Sequence, residues 1–328
     1  MKALICGVSG QDGTYLAQLL LKKGYEVIGT SRDVQSSAFA NHTHLGLNGH
    51  IHLESMAPND FRSVLQVLRR TQADEIYNLS GQTSVGLSFD QPVETLASIM
   101  DGTLNLLEAI RFLGKPVRFY NAGSSECFGN TNAPGATEET PFRPRSPYAL
   151  AKAATFWLVA NYREAYGLHA STGILFNHES PLRPPRFVTR KIVRTACEIS
   201  LGMRDRLELG NLDVQRDWGW APEYVDAMWR MLQRERADDF VIATGESHSL
   251  QQFVAETFRQ LDLDWREFTR ATNSLLRPTD IMQGRGLPLK AAKLLGWTAS
   301  MRMHEVIARM IGAELEALGR SSSQVSAR

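Results

Sequence analysis

Apolar residues along the first half of the chain follow two alternating rhythms. KALIC (2–6) is a short apolar run, and EVIGTSR (26–32), HIHLES (50–55), EIYNLSG (75–81) and VRFYNAGSS (117–125) are short segments built on large apolar and β-favouring residues, which together predict strands. Between them, TYLAQLLLKKGY (14–25), DFRSVLQVLRRT (60–71) and TLNLLEAIRFLG (103–114) repeat their large apolar residues every three or four positions, which predicts helices. A further helix is expected through SPYALAKAATFW (146–157), and HASTGILFN (169–177) returns to the strand pattern. This alternation predicts an α/β fold, a Rossmann-type doubly wound parallel sheet with right-handed crossovers. After residue 175 the alternation weakens, and Pro, Arg and Trp become frequent. We therefore expect a first domain over 1–175, with some later segments returning to it. A smaller C-terminal α/β lobe is expected over 176–320, and a polar, disordered tail over 321–328.

Gly7, Gly10 and Gly13 form G-x-x-G-x-x-G at the first strand-to-helix junction. There the chain turns tightly, lets a pyrophosphate approach the backbone, and aims helix N-terminal N–H groups at its charge. The position of the motif, more than the glycines alone, points to dinucleotide binding. After the second strand comes Ser31-Arg32, where an NAD-binding chain more often carries an acidic residue for the ribose 2′-hydroxyl. Arg32 suits a 2′-phosphate, so NADP is the expected cofactor, with NAD as the alternative. A solvated surface arginine is the plainer reading of the same residue.

Tyr148 and Lys152 lie four residues apart, so on a helix both face the same way. A tyrosine of pKa about 10 acts as a base near neutrality only beside positive charge, which Lys152 and an oxidised nicotinamide would provide. Just past the end of the fifth strand run stand Ser124, Ser125 and Glu126, at the sheet edge where open α/β sheets bind ligands. Ser124 is a candidate to hydrogen-bond a reacting sugar hydroxyl. Oxidation by a tyrosine needs no further carboxylate, whereas Glu126 can take the acidic proton beside a new ketone and then protonate a departing hydroxyl. Together these residues predict a dehydration.

Composition narrows the field. Thirty-six basic and 35 acidic residues leave a net charge of +1, so nothing general draws the chain to nucleic acid or to an anionic membrane. Cys6, Cys127 and Cys197 have neither disulfide-framework nor metal-site spacing, so no metal is expected and a reducing cytoplasm fits best. No segment has the length of a membrane span or signal peptide, and a soluble protein is expected.

At these residues the sequence resembles an extended short-chain dehydrogenase/reductase, and more narrowly the GDP-mannose 4,6-dehydratase family. Beyond the glycine loop and the Tyr148/Lys152 pair, the resemblance rests on GQDGTYLAQLLLKKGY, DEIYNL, TPFRPRSPYALAK, NYREAYGLHASTGILFNHESP, FVTRKI, LGNLDVQRDWGWAPEYV and LGW. It covers residues 1 to about 320. It implies catalytic positions at Ser124, Glu126, Tyr148 and Lys152. The implied cofactor contacts are Gly7, Gly10, Gln11, Asp12, Gly13, Arg32, Leu79, Tyr148, Lys152 and His178. Substrate contacts are implied at Asn177, Val188, Lys191, Arg216, Arg277 and Asp280. His178 reads equally well as a structural histidine, and Trp157, Trp218 and Trp229 as packing residues. The expected activity is an NADP-dependent lyase acting on a nucleoside-diphosphate hexose, GDP-mannose first, in a homodimer or homotetramer. An epimerase or a 4-keto-6-deoxy-sugar reductase of the same superfamily is the alternative, and a non-catalytic cofactor-binding regulator the last. The chain departs from the family pattern at Ser124 (usually Thr), in RDVQSS (no second Arg), at Ser55 (usually acidic), in the prolines of SPLRPPRFVTR, and at Asp280 (usually Glu). Several departures fall on ligand edges, so the nucleotide and the sugar stay open.

Overall fold

A computed structural model describes residues 1–272 and 275–325. Seven parallel strands form the central sheet: β1 (Lys2–Cys6), β2 (Glu26–Ser31), β3 (His52–Ser55), β4 (Glu75–Asn78), β5 (Arg118–Ala122), β6 (His169–Leu175) and a seventh that the chain reaches only after residue 175. Before that strand come the short β7 (Asn177–Glu179), β8 (Leu207–Leu209), β9 (Gln215–Arg216) and β10 (Trp218–Trp220). The seventh sheet strand is therefore β11 (Phe240–Ile242), followed by β12 (His248–Ser249) and β13 (Thr269–Ala271). The order across the sheet is β11-β6-β5-β4-β1-β2-β3. Helices cover both faces, so the inner strands such as β1 and β4 are buried along their length, whereas the edge strand β3 (HLES) is not.

The order reverses between β1 and β4, and the loops leaving those strands open the crevice in which such sheets bind ligands. Cys6 pairs with Thr30 on one side and Asn78 on the other, so the glycine loop starts at the centre of the sheet. The first helix, Gln11–Lys22, begins three residues earlier than the leucine pattern suggests. Gly10 is its extended N-cap, and Thr14 Oγ1 donates back to the Gly10 carbonyl at 2.8 Å, closing the first turn.

Away from the sheet, the helices Val188–Ser200, Leu250–Arg259 and Met303–Val325 share an apolar cluster that includes Ile192, Phe253, Phe258 and Met310. Three two-stranded ribbons accompany it: β7 with β10, β9 with β12, and β8 with β13. The last helix continues through most of the stretch read as a polar tail, and residues 326–328 of that tail lie outside the described residues. Trp218 packs on Phe253, and Trp229 is covered by the Lys23 ammonium 3.4 Å from its ring centre. Trp157 differs: its edge meets Phe142 and Phe156, yet it is 64% exposed. Among the described residues no helix is long and apolar enough to cross a membrane, and no group of three or more His, Cys, Asp or Glu could hold a metal ion.

Candidate active site

The glycine loop is shaped for close backbone approach. Gly7 has φ +85°, and a Cβ there would lie 2.8 Å from the Leu79 carbonyl oxygen. A Cβ on Gly13 would lie 2.4 Å from the Gly7 oxygen and 2.7 Å from Val8 Cα, so only glycine lets helix and loop meet. The helix starting at Gln11 carries no side-chain cap, which leaves its N-terminal amides for an anion. These features fit the pyrophosphate of a dinucleotide. Arg32, at the end of β2, is exposed. Ser55, standing where an acidic residue is usual, accepts from the Val34 amide at 3.2 Å and so holds the loop after Arg32.

Tyr148 and Lys152 sit on the buried face of the helix Pro147–Tyr166, which starts with Ser146 capping the Ala149 amide and Pro147 in its first turn. Lys152 Nζ donates to the Ala122 carbonyl at the end of β5 (2.7 Å) and lies 5.9 Å from the Tyr148 ring centre. Burial pushes the Lys152 ammonium down to about 8. Burial likewise raises the Tyr148 phenol, against the pull of its hydrogen bond with Ser124. Ser124 caps the short 3-10 turn Ser125–Phe128, its Oγ 3.3 Å from the Glu126 amide, and that turn carries Glu126 to the same pocket.

Glu126 is held above the usual carboxylate range by burial, with Arg216 and then Arg277 pulling the other way. Arg216 Nε stands 3.9 Å from Glu126 Oε1, Arg216 Nη2 donates to Asp280 Oδ1 at 3.0 Å, and Arg277 Nη1 lies 3.5 Å from the same oxygen. The structure therefore brings Glu126, Arg216, Arg277 and Asp280 into one cluster at the mouth of the pocket. Asn177 opens β7, in register with Trp218 of β10, two residues past Arg216. Val188 and Lys191 occupy the first turn of the helix that follows, where Lys191 Nζ donates to the Glu208 carbonyl (2.6 Å) at the rim of a cavity of about 330 Å³.

His178 of β7 faces the first helix. Its Nε2 meets Asp12 Oδ2 at 2.9 Å, its Nδ1 meets the Phe176 carbonyl at 2.7 Å, and its ring stacks on Tyr224, so both nitrogens are engaged within the protein. Gln11 Nε2 donates to the His178 carbonyl at 3.2 Å, and Ser180 Oγ donates to Gln11 Oε1 at 2.8 Å. Gln11 and Asp12 thus tie the glycine helix to β7. Ser180 and Tyr224, which complete this tie, carry no pattern of their own in the sequence. Asp217 is a further residue the sequence reading left without a role. It is fully buried between Arg216 and Trp218, accepts the Thr244 and Gly245 amides at 2.9 Å each, and is raised by burial to about 6.

A family profile described as GDP-mannose 4,6 dehydratase matches residues 4–310. GDP-mannose 4,6 dehydratase 1 of Arabidopsis thaliana is 42% identical over 326 residues, covering 96% of this chain and 90% of that protein. GDP-mannose 4,6-dehydratase of Sinorhizobium fredii (strain HH103) is 44% identical over 342 residues, covering 96% and 97%. Among solved structures, DesIV, a dTDP-glucose 4,6-dehydratase from Streptomyces venezuelae with NAD and TYD bound, superposes with a TM-score of 0.85 at 21% identity, covering 97% of this chain and 98% of that one. RMD from Pseudomonas aeruginosa, complexed with NADPH, does so with a TM-score of 0.78 at 21% identity, covering 96% and 98%. At those identities the two structures speak for the fold.

Proposed function

The chain belongs to the GDP-mannose 4,6-dehydratase family, and from that premise we propose that it removes water from a nucleoside-diphosphate hexose, GDP-mannose first, to give the 4-keto-6-deoxy sugar. What supports this reading most is the meeting of Glu126 with Ser124, Tyr148 and Lys152 at the end of β5, because oxidation alone has no use for that carboxylate. A bound oxidised nicotinamide supplies the hydride acceptor, and later donor, and a positive charge beside the phenol. Tyr148 takes the proton of the C4 hydroxyl, which Ser124 orients, and the Lys152 ammonium steadies the phenolate. Once C4 is a ketone, the C5 hydrogen is acidic, and Glu126 takes it. The acid form of Glu126 protonates the C6 hydroxyl, which leaves as water. A proton returned to C5 balances the one given up at the C4 oxygen, so the sugar loses one water with no net oxidation or reduction.

NADP is the cofactor we propose, with Arg32 beside its 2′-phosphate. Arg216, Arg277, Lys191, Val188, Asn177 and Asp280 serve the nucleoside diphosphate, arginine suiting its charge and geometry. A homodimer is proposed through the stripe of exposed Leu150, Trp157 and Asn161 with the half-buried Ala154, and through the exposed Phe112 on the adjacent helix, since a largely apolar patch is self-complementary about a two-fold axis. Three buried free thiols fit a cytoplasmic setting.

The test is incubation of the whole protein with GDP-mannose and substoichiometric NADP⁺, read by mass spectrometry. Loss of one water supports the proposal. Reduced cofactor consumed mole for mole, isomerisation without loss of water, or no product from any common nucleoside-diphosphate hexose overturns it.

A further inference from the structure

One arginine at the mouth of the pocket stands between two carboxylates. Arg216 is buried, and its guanidinium is spread over fixed acceptors: Nη1 donates to the carbonyls of Ile281 at 2.6 Å and Gln215 at 2.9 Å, and Nη2 to Asp280 Oδ1 at 3.0 Å. Only Nε is turned toward Glu126, and at 3.9 Å it stops short of a hydrogen bond. Asp280 is itself fixed, since the same Oδ1 accepts the Ile281 amide at 2.9 Å and Arg277 flanks it at 3.5 Å. The strongest cation near Glu126 is therefore held off it by an acid on a different segment of the chain.

A closed Arg–Glu pair would suit this pocket badly. Glu126 has to be a carboxylate to take the C5 proton and an acid to give a proton to the departing hydroxyl, whereas a bidentate guanidinium fixes a carboxylate in its charged form. We infer that Asp280 is a positioning residue which anchors Arg216 away from Glu126, leaving Glu126 free to gain and lose a proton within one turnover. The inference rests on the dehydratase reading for the use it gives that proton. Of the other groups facing Glu126, Tyr148 and Cys127 present neutral protons, the thiol raised by burial to about 12, while Arg277, 3.5 Å from Asp280 Oδ1, is a second cation that favours the charged form and is likewise paired with Asp280. The negative charge of Asp280 acts in the same direction as its grip on Arg216, both favouring the protonated form of Glu126.

The experiment follows the carboxyl of Glu126 by NMR in protein labelled with ¹³C-glutamate, its resonance assigned by loss in Glu126→Gln. Titration is compared in wild type, Asp280→Asn and Asp280→Glu. Asp280→Asn keeps the size of the side chain and removes its charge, so the Glu126 midpoint should fall by about one pH unit, tenfold in proton affinity. Asp280→Glu should restore it. With saturating nucleotide-sugar, the acid limb of kcat in Asp280→Asn should move down by the same amount, whereas a residue that served only to bind ribose would change KM and leave both readings in place. An unmoved Glu126 midpoint in Asp280→Asn overturns the inference. If wild-type protein releases water from no nucleoside-diphosphate hexose, the dehydratase reading fails, and the NMR titration still decides whether Asp280 governs Glu126.

Discussion

Buried His178 and half-buried Asp12 form an ion pair, Nε2 to Oδ2 at 2.9 Å, across the gap between β7 and the glycine helix. The carboxylate and the Phe176 carbonyl on the other ring nitrogen are both acceptors, so the imidazole carries two protons and a charge. Burial disfavours both charges, but their attraction outweighs it: His178 is held above its ordinary value and Asp12 below. The sign of the pH dependence follows. The contribution of His178 is full below the ordinary imidazole value of about 6.5 and is lost as pH rises through the raised folded value. That of Asp12 is full above about 3.9 and is lost as pH falls through its lowered value. Breaking such a pair costs about 3–5 kcal/mol. Melting temperatures of wild type and His178→Gln should therefore differ most between about pH 4 and 6.5 and converge at higher pH. A gap that does not change with pH would refute the charged pair.

Glu126→Gln keeps the shape of the side chain and removes its ability to take a proton. Dehydration should fall by about 10²–10⁴-fold, the range for a lost general acid–base. In deuterated water the sugar recovered from the variant should carry no deuterium at C5, while wild-type product should. Deuterium at C5 in the variant would move the proton transfer to another residue.

Lys152 is buried with its Nζ on the Ala122 carbonyl and is pushed down to about 8. A buried ammonium destabilises the fold at neutral pH, and that cost is relieved as pH rises from about 8 toward the ordinary lysine value of about 10.4. Lys152→Met should be inactive yet melt higher than wild type at pH 7, with the gap closing between about pH 8 and 10. A variant that melts lower at pH 7 would mean that the ammonium is a net structural asset and is not held there for chemistry.

Much of this is legible in the sequence itself. Parallel strands buried on both faces leave continuous apolar runs, and the turn chemistry of Gly7, Gly10 and Gly13 is local, so sheet and glycine loop follow from the chain alone. Tyr148 and Lys152 share one helix, which fixes their relation by spacing. Illegible were contacts between segments far apart in sequence. Arg216 meets Asp280 across 64 positions and His178 meets Asp12 across 166, and neither spacing leaves a periodic trace. Helix ends were misread for a related reason: Gly10 starts its helix by backbone conformation and by the Thr14 hydroxyl, with no capping side chain to announce it.

Arg32 follows β2 without the second arginine usual in this family. A single charge-assisted contact to a phosphate is worth about 1.5–3 kcal/mol, roughly tenfold to a hundredfold in affinity. Arg32→Ala should weaken NADP⁺ binding by that factor and leave NAD⁺ unchanged, as read by isothermal titration. Equal loss for both dinucleotides would remove Arg32 from the 2′-phosphate.

Trp157 is 64% exposed, and Leu150, about two turns back on the same helix, is 52% exposed, while Phe112 on the adjacent helix Gly102–Leu113 is 70% exposed. Single exposed apolar residues are ordinary; a stripe of them on two neighbouring helices is the pattern of an interface. The opposite face of the helix Pro147–Tyr166 carries Tyr148 and Lys152, so a second copy seated on the stripe would brace the helix that presents the base. Trp157→Glu places a charge at the centre of the patch, where two symmetry-related copies of it would repel. Light scattering should show wild type as at least a dimer and the variant as a monomer, with dehydration slowed at equal active-site concentration. A wild-type monomer at micromolar concentration, or a variant that remains dimeric, would place the contact elsewhere.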